Sequence, residues 1–229
     1  MVRLYELNEL TGVDDQLVNE VTLATNSQNP VDLRDLRAND TIQKNLILSV
    51  QELNYVYKPK RDIFANGDII PSSVAAEAVY AIWRKKPHQA KFMQRELFGK
   101  FYYDVFNGLN GAQLVLAVLI YRYCDNQRRK EALIVQYPHI PYSNYFLSMI
   151  MAFIVLKDLK IDGLEKLTHL NFEVAKTHFE SNKEQLFERA NVVLTKALKV
   201  ICPEGYEKLE LRRLSAIFRR GDLMEYIEM

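Results

Sequence analysis

The spacing of apolar residues predicts a chain built mainly from helices. Asp40 is followed three residues later by Gln43, a spacing typical of a capping box at the start of a helix. The apolar positions that come next recur at helical spacing: Ile42, Leu46, Val50 and Leu53. We therefore predict a helix over 41–53, capped by Asp40, with this stripe facing the core.

Further helices are predicted along the rest of the chain. Ser72 or Ser73 is expected to cap a helix that Pro87 ends. Helical spacing returns over 88–130, with breaks at Gly99 and 107–111, and an apolar helix begins near Tyr142. From about residue 168 two or three amphipathic helices are expected, with two apolar stripes: Phe172, Ala175 and Phe179, then Leu186, Ala190, Val193, Leu194, Ala197 and Ile201.

Strand signals are confined to the beginning of the chain. Side chains of different character alternate over residues 2–6, as in a short strand. A helix is expected after Asp14. The pattern over residues 54–62 predicts an edge strand or an extended arm. The two strand candidates either pair with each other or belong to a sheet completed by sequence that this chain lacks. The fold class is therefore mainly α, with a small α/β remnant over 1–68 followed by a helical bundle over 69–229.

Composition limits the class of protein and the cell compartment that we expect. Of the 229 residues, 48% are hydrophobic and 26% charged, and the net charge is +1, so the chain is expected to fold and any nucleic-acid binding must come from a local patch. The apolar run 145–156 is shorter than the ~20 residues that cross a bilayer. With no signal-peptide pattern, and with Cys124 and Cys202 far apart, we expect a cytoplasmic protein with reduced thiols, no membrane and no metal.

The segment TLATNSQNPVDLRDLRANDTIQ, residues 22–43, is unusually rich in amides and paired charges. Helix caps and turns account for its aspartates. They do not account for the unbroken run Thr25, Asn26, Ser27, Gln28 and Asn29, nor for Arg34 and Arg37 one turn apart. The candidate ligand-binding residues of this segment are Asn26, Gln28, Asn29, Arg34 and Arg37. Amides can read base edges and arginines suit phosphate or carboxylate, so a structural role and a ligand-binding role both stay open.

A basic arm follows this polar segment. Lys58, Lys60 and Arg61 lie on the predicted extended segment beside tyrosines. They either protect a strand edge from other strands or bind phosphate. Neither a cofactor motif nor a known catalytic motif is present in the sequence, so no complete active site is expected and enzymatic activity stays open.

These same segments resemble the abortive infection phage resistance (AIPR) family. The resemblance rests on VTLATNSQNPVDLRDLRANDTIQKNL, on YVYKPKRD, on PSSVAAEAVYAIWRKKPHQAK and on FGKFYYDVF. It covers residues 2–125 well and the later helices loosely. It implies a role in phage defence.

The resemblance also implies that members carry an upstream half, which this chain lacks, so we expect a fragment or a truncated product. By analogy with folds that bind nucleotides, the polar segment and the arm are expected to bind nucleic acid or a nucleotide. Alternatively the chain is an interaction scaffold that docks the upstream half or another defence protein. A nuclease-type enzyme ranks third, because no metal-binding carboxylate cluster is visible.

Overall fold

Helices make up most of the computed structural model, which describes residues 32–60, 68–91, 93–129 and 142–227. The helices are α1 (Leu33–Arg37), α2 (Thr41–Gln51), α3 (Ser72–Ile82), α4 (Tyr102–Phe106), α5 (Gly111–Arg129), α6 (Ser143–Asp158), α7 (His169–Ile201) and α8 (Leu211–Arg220). Short 3₁₀ turns cover Leu164–Lys166, Tyr206–Lys208 and Asp222–Tyr226. The strands are β1 (Val56–Lys58) and β2 (Ile69–Pro71). The predicted fold class is confirmed; the predicted strand at 2–6 and the helix after Asp14 lie outside the described residues.

Helix α2 confirms the predicted cap. The Asp40 carboxylate accepts a hydrogen bond from the Ile42 amide at 2.9 Å, and Leu46 and Val50 are buried. The helix ends at Gln51, because the chain turns there and Asn54 adopts a positive φ of 62°. Leu53 still packs into the core, but from this turn.

The predicted edge segment forms β1, which pairs with β2 in parallel. Val56 lies opposite Ile69 and Tyr57 lies opposite Ile70. Two strands of three residues are not stable alone, so the pair depends on burying Tyr57 and Ile70, which are 3% and 0% exposed. The sequence did not predict the partner strand. The predicted domain boundary between residues 68 and 69 falls between these two paired strands. The division of the chain into two domains stays a prediction.

Helix α3 is the most deeply buried of the early helices. All its residues from Ala75 to Ile82 are buried. The prediction that Ser72 or Ser73 caps it is wrong, since Pro71 occupies the N-cap position and no side chain caps the helix. Ser72 is instead its first residue, and its hydroxyl donates to the Pro59 carbonyl at 2.8 Å.

Helices α5 and α6 pack against α3, the long helix α7 packs against α5 and α6, and together they form the core. Helix α6 begins at Ser143, as predicted, and twelve of its residues are buried. Residues 88–91 and 93–101 form turns rather than the predicted helix. Two α-helices follow residue 168 in the described part of the chain, α7 and α8, within the predicted number. The two predicted apolar stripes both lie on the 33-residue α7. Across the described ranges, no helix has the length and apolar character needed to cross a membrane.

Candidate functional site

The described half of the polar segment begins with α1. Asp32 caps this helix, because its Oδ1 accepts from the Arg34 amide at 3.0 Å. Its Oδ2 lies 3.3 Å from Arg34 Nη2. Arg34 therefore neutralises its own helix cap, and its side chain is 18% exposed.

Arg37 is buried in the protein and joins α1 to α4. Its guanidinium carbon lies 4.4 Å from the centroid of the Tyr102 ring and 5.4 Å from that of Tyr103. Its Nη1 lies 3.6 Å from the Asp40 carboxylate. Arg37 is only 9% exposed, so its charge is stabilised by aromatic faces and by the same carboxylate that caps α2.

Gln43 faces Tyr102, the same tyrosine that lies against Arg37, and joins α2 to β1. The Tyr57 hydroxyl donates to Gln43 Oε1 at 2.7 Å, and both side chains are buried. Gln43 therefore serves the strand and does not close the predicted capping box. Burial raises the pKa of both Tyr57 and Tyr102 well above its usual value, so both hydroxyls stay protonated and act as hydrogen-bonding groups rather than as bases.

This motif cluster, defined as Arg34, Arg37, Asp40, Gln43, Tyr57 and Tyr102, has an excess of hydrogen-bond donors. Four of its buried polar groups make no hydrogen bond of 3.5 Å or less in the described part of the chain: Arg34 Nε, Arg37 Nε, Gln43 Nε2 and the Tyr102 hydroxyl. The side chains of Gln43 and Tyr102 face each other across a longer contact. A buried polar group without a partner costs about 1–3 kcal/mol. The cluster therefore suits a group that brings several acceptors, such as a phosphate or the edge of a base.

The basic arm begins where the motif cluster ends. Lys58 is half-buried on β1, directly after Tyr57, and Lys60 is exposed just beyond the strand. Of the other predicted site residues, Asn26, Gln28, Asn29 and Arg61 lie outside the described residues. The structure thus brings Arg37 and Gln43 together around Tyr102, with Tyr57 bound to Gln43, and leaves Lys60 accessible to solvent.

Sequence reasoning missed a second polar network, centred on Glu77. This carboxylate is 6% exposed in the middle of α3, and it accepts hydrogen bonds from the Tyr145 hydroxyl, the Gln94 amide and, at 3.4 Å, the Tyr121 hydroxyl. Burial raises the pKa of the Glu77 carboxyl above its usual value, and the hydrogen bond from Tyr145 opposes that shift. The available signal was a lone acid inside the apolar run VAAEAVYAI, since an acid on such a helix must find a partner.

Ser49, Glu52 and His169 lie together but do not form a catalytic triad. His169 Nε2 is 2.7 Å from the Ser49 carbonyl, 3.3 Å from its hydroxyl and 3.4 Å from the Glu52 carboxylate. A nitrogen that donates to a carbonyl has no lone pair to accept a proton from the hydroxyl, and the carboxylate faces this same nitrogen rather than Nδ1. The group joins the end of α2 to the start of α7. No cluster of three metal-binding side chains occurs in the described ranges.

The fold and the motif cluster together define a mainly helical protein organised around a buried polar motif with a basic arm. Residues 1–209 match the family described as AIPR protein. The chain therefore belongs to the AIPR family, and this membership supports a role in abortive infection, a form of phage defence. No curated protein and no solved structure matches the chain.

Proposed function

We propose that this protein acts in phage defence as a module that binds nucleic acid or a nucleotide at the motif cluster and the basic arm. The observation that carries the proposal is that two buried guanidinium nitrogens of the motif cluster, Arg34 Nε and Arg37 Nε, have no hydrogen-bond partner in the described part of the chain. A fold that keeps two such groups together gains stability when a bound group supplies their acceptors. Phosphates and base edges are rich in acceptors and are therefore the expected ligands.

Each part of the site has its own role in this proposal. Arg34, held by Asp32 and 18% exposed, presents a guanidinium group that suits planar acceptor groups. Arg37 is buried between Tyr102 and Asp40 and would reach a ligand only when the cluster opens. Lys58 and Lys60, with Arg61, would contact phosphates along the chain of a ligand.

The amide side chains of the polar segment complete the proposed site. Asn26, Gln28 and Asn29 would contact bases, because an amide can both donate to and accept from a base edge. With a net charge of +1, the affinity is expected to be modest, about micromolar or weaker at physiological salt.

The test is a titration of labelled single- and double-stranded oligonucleotides, and of free nucleotides, at several salt concentrations. The variants are Lys60→Ala/Arg61→Ala and the charge-matched control Lys44→Ala/Lys160→Ala. Losing two phosphate contacts lowers the salt dependence of single-strand binding by about 1.4 logarithmic units per unit of log salt. Wild type that binds none of these ligands, or an arm variant that binds as the control does, would contradict the phosphate role of the arm.

A second candidate function, a scaffold that docks a separate effector protein, is favoured by an exposed apolar patch. Leu48, Val56, Leu170 and Val174 are 61%, 46%, 97% and 59% exposed. Contacts between their sequence neighbours bring them together: Ser49 touches His169, and the Tyr55 and Phe172 rings are 6.4 Å apart. Clustered apolar side chains on a surface are typical of protein contacts.

The patch can be tested in cells challenged with phage. Leu170→Asp is compared with Val192→Asp, a control at another exposed apolar residue of α7, which is 54% exposed. If docking is the function, Leu170→Asp loses protection while the purified variant keeps its thermal stability and its oligonucleotide binding. Equal protection by both variants excludes the scaffold role.

A further inference from the structure

The C-terminal helix α8 carries an unusual distribution of charge. Its sequence, LRRLSAIFRR, contains four arginines and no acidic residue. Leu214 and Phe218 are buried, and the Phe218 ring packs against Phe146 at a centroid distance of 5.4 Å. The helix is therefore anchored to α6 by one face, and the charged residues lie on the other.

The four arginines share one exposed face. Arg212 and Arg219 are seven residues apart, as are Arg213 and Arg220, and Ala216 lies between the pairs. Because residues at these separations stack along a helix, the four form a patch with a small residue at its centre. All four side chains are exposed, and in the described part of the chain none has an acidic partner.

The helix dipole favours only two of the four arginines. Arg219 and Arg220 occupy the last turn, where cations are favoured. Arg212 and Arg213 lie in the first turn, where the dipole disfavours them. Four like charges on one face also repel one another, so the arrangement lowers the stability of the isolated helix and is best explained by an anionic partner.

The turn that follows α3 carries two further cations, Lys85 and Lys86, close to the end of α8. An added Cβ on Gly221, which ends α8, would lie 2.9 Å from the His88 ring, so the two segments touch. The exposed Lys85 and Lys86 come just before His88. Lys85 Nζ lies 4.8 Å from the centroid of the Phe153 ring on α6, which places this lysine on the α6 side of the molecule, where α8 is also anchored.

We propose that the arginine face of α8, extended by Lys85 and Lys86, binds the phosphate backbone of nucleic acid. Its paired arginines are separated by about 10 Å along the helix, a length over which one strand of a duplex carries about three phosphates. Exposed arginines that form no salt bridge are the side chains that make such contacts. The helix lies beyond the matched residues 1–209, so the family supplies no part of this argument, but the choice of nucleic acid as ligand rests on the proposed function.

The experiment measures oligonucleotide binding by fluorescence anisotropy over a range of salt concentrations. The test variant replaces all four arginines by glutamine: Arg212→Gln, Arg213→Gln, Arg219→Gln and Arg220→Gln. A second variant replaces them by lysine, which keeps the charge. A charge-matched control replaces exposed lysines elsewhere: Lys44→Gln, Lys160→Gln, Lys166→Gln and Lys196→Gln. Circular dichroism and thermal unfolding establish that each variant is folded.

The glutamine variant is expected to lose roughly tenfold or more in affinity, with a salt slope reduced by about 2–3, since each lost phosphate contact removes about 0.7–0.9. The lysine variant keeps most of the slope, and the control binds as wild type does. Equal binding by wild type and the glutamine variant overturns the proposal. An equal loss in the control also overturns it, because the effect would then come from net charge alone.

The arm variant Lys60→Ala/Arg61→Ala separates this inference from the proposed function. If it abolishes binding while the glutamine variant binds normally, the α8 surface is excluded and the proposed site stands. If only the glutamine variant fails, the α8 surface stands and the arm is excluded. Wild type that binds no oligonucleotide excludes both, and binding to anionic lipid vesicles or acidic peptides alone excludes nucleic acid as the ligand.

Discussion

Replacing Glu77 tests whether the buried network on α3 stabilises the fold as its geometry indicates. Glu77→Ala removes the acceptor used by the Tyr145 hydroxyl and the Gln94 amide, and the longer bond from Tyr121. Hydrogen bonds to a charged group contribute about 1.5–3 kcal/mol each. The desolvation cost of the carboxylate, which the alanine variant no longer has, and the hydrogen bond that the Tyr121 hydroxyl donates to the Tyr145 hydroxyl at 3.3 Å offset part of this loss. We expect the free energy of unfolding to fall by about 2–4 kcal/mol.

Glu77→Gln is the matched control, because it keeps an acceptor and the volume of the side chain. Burial raises the pKa of the Glu77 carboxyl in the folded protein, so the folded state holds the proton more tightly than the unfolded state does. The stability due to this proton is present below the unfolded pKa of about 4.3 and is lost as the pH rises through the folded pKa. The glutamine has no such loss, so its stability relative to wild type should increase between acidic and neutral pH.

Urea unfolding of the three proteins across that pH range checks both expectations. The reasoning is refuted if Glu77→Ala is as stable as wild type. It is also refuted if the stability of Glu77→Gln relative to wild type falls as the pH rises, because a carboxyl whose pKa is lowered on folding behaves in that way.

Three further predictions concern the cap, a close approach and the thiols. Asp40→Ala should be less stable than Asp40→Asn by about 0.5–2 kcal/mol, because asparagine keeps the cap while both variants lose the charge that faces Arg37; urea unfolding that shows no difference between them would contradict the capping role. Gly111→Ala should destabilise by about 1–3 kcal/mol, because the added Cβ would lie 2.4 Å from the Ser49 carbonyl oxygen; an unchanged thermal midpoint would refute this contact. Cys124, whose pKa burial raises, should resist a thiol reagent in the native protein, while the half-buried Cys202 reacts; the Cys202→Ser variant should therefore remain unlabelled, and its rapid labelling would disprove the burial of Cys124.

Local patterns predicted the elements that local contacts decide. The Asp40 cap and the apolar stripe of α2 depend on neighbours within two turns, and both were predictable. Helix α7 was also within reach, because no Gly or Pro interrupts residues 169–201. Its two apolar stripes drift around the surface of one long helix rather than marking two short ones.

Contacts between distant segments decided what the sequence did not predict. Gln43 satisfies a capping-box spacing, but the Tyr57 hydroxyl occupies its Oε1 instead. The sequence around Arg37 does not show that its guanidinium packs on the ring of Tyr102, because Tyr102 is distant in the chain. Strand β2 has three residues, too few for a periodic signal, and forms only because β1 lies beside it.

The motif cluster as a binding site is tested most directly by following its own nitrogen atoms. Nuclear magnetic resonance resolves the arginine Nε–H groups and the glutamine side-chain amides, and variants of Arg34, Arg37 and Gln43 assign their signals. If the cluster binds the ligand, a saturating short oligonucleotide or nucleotide shifts these three signals as each nitrogen gains an acceptor. Binding that leaves all three unchanged, while signals elsewhere move, would contradict the account.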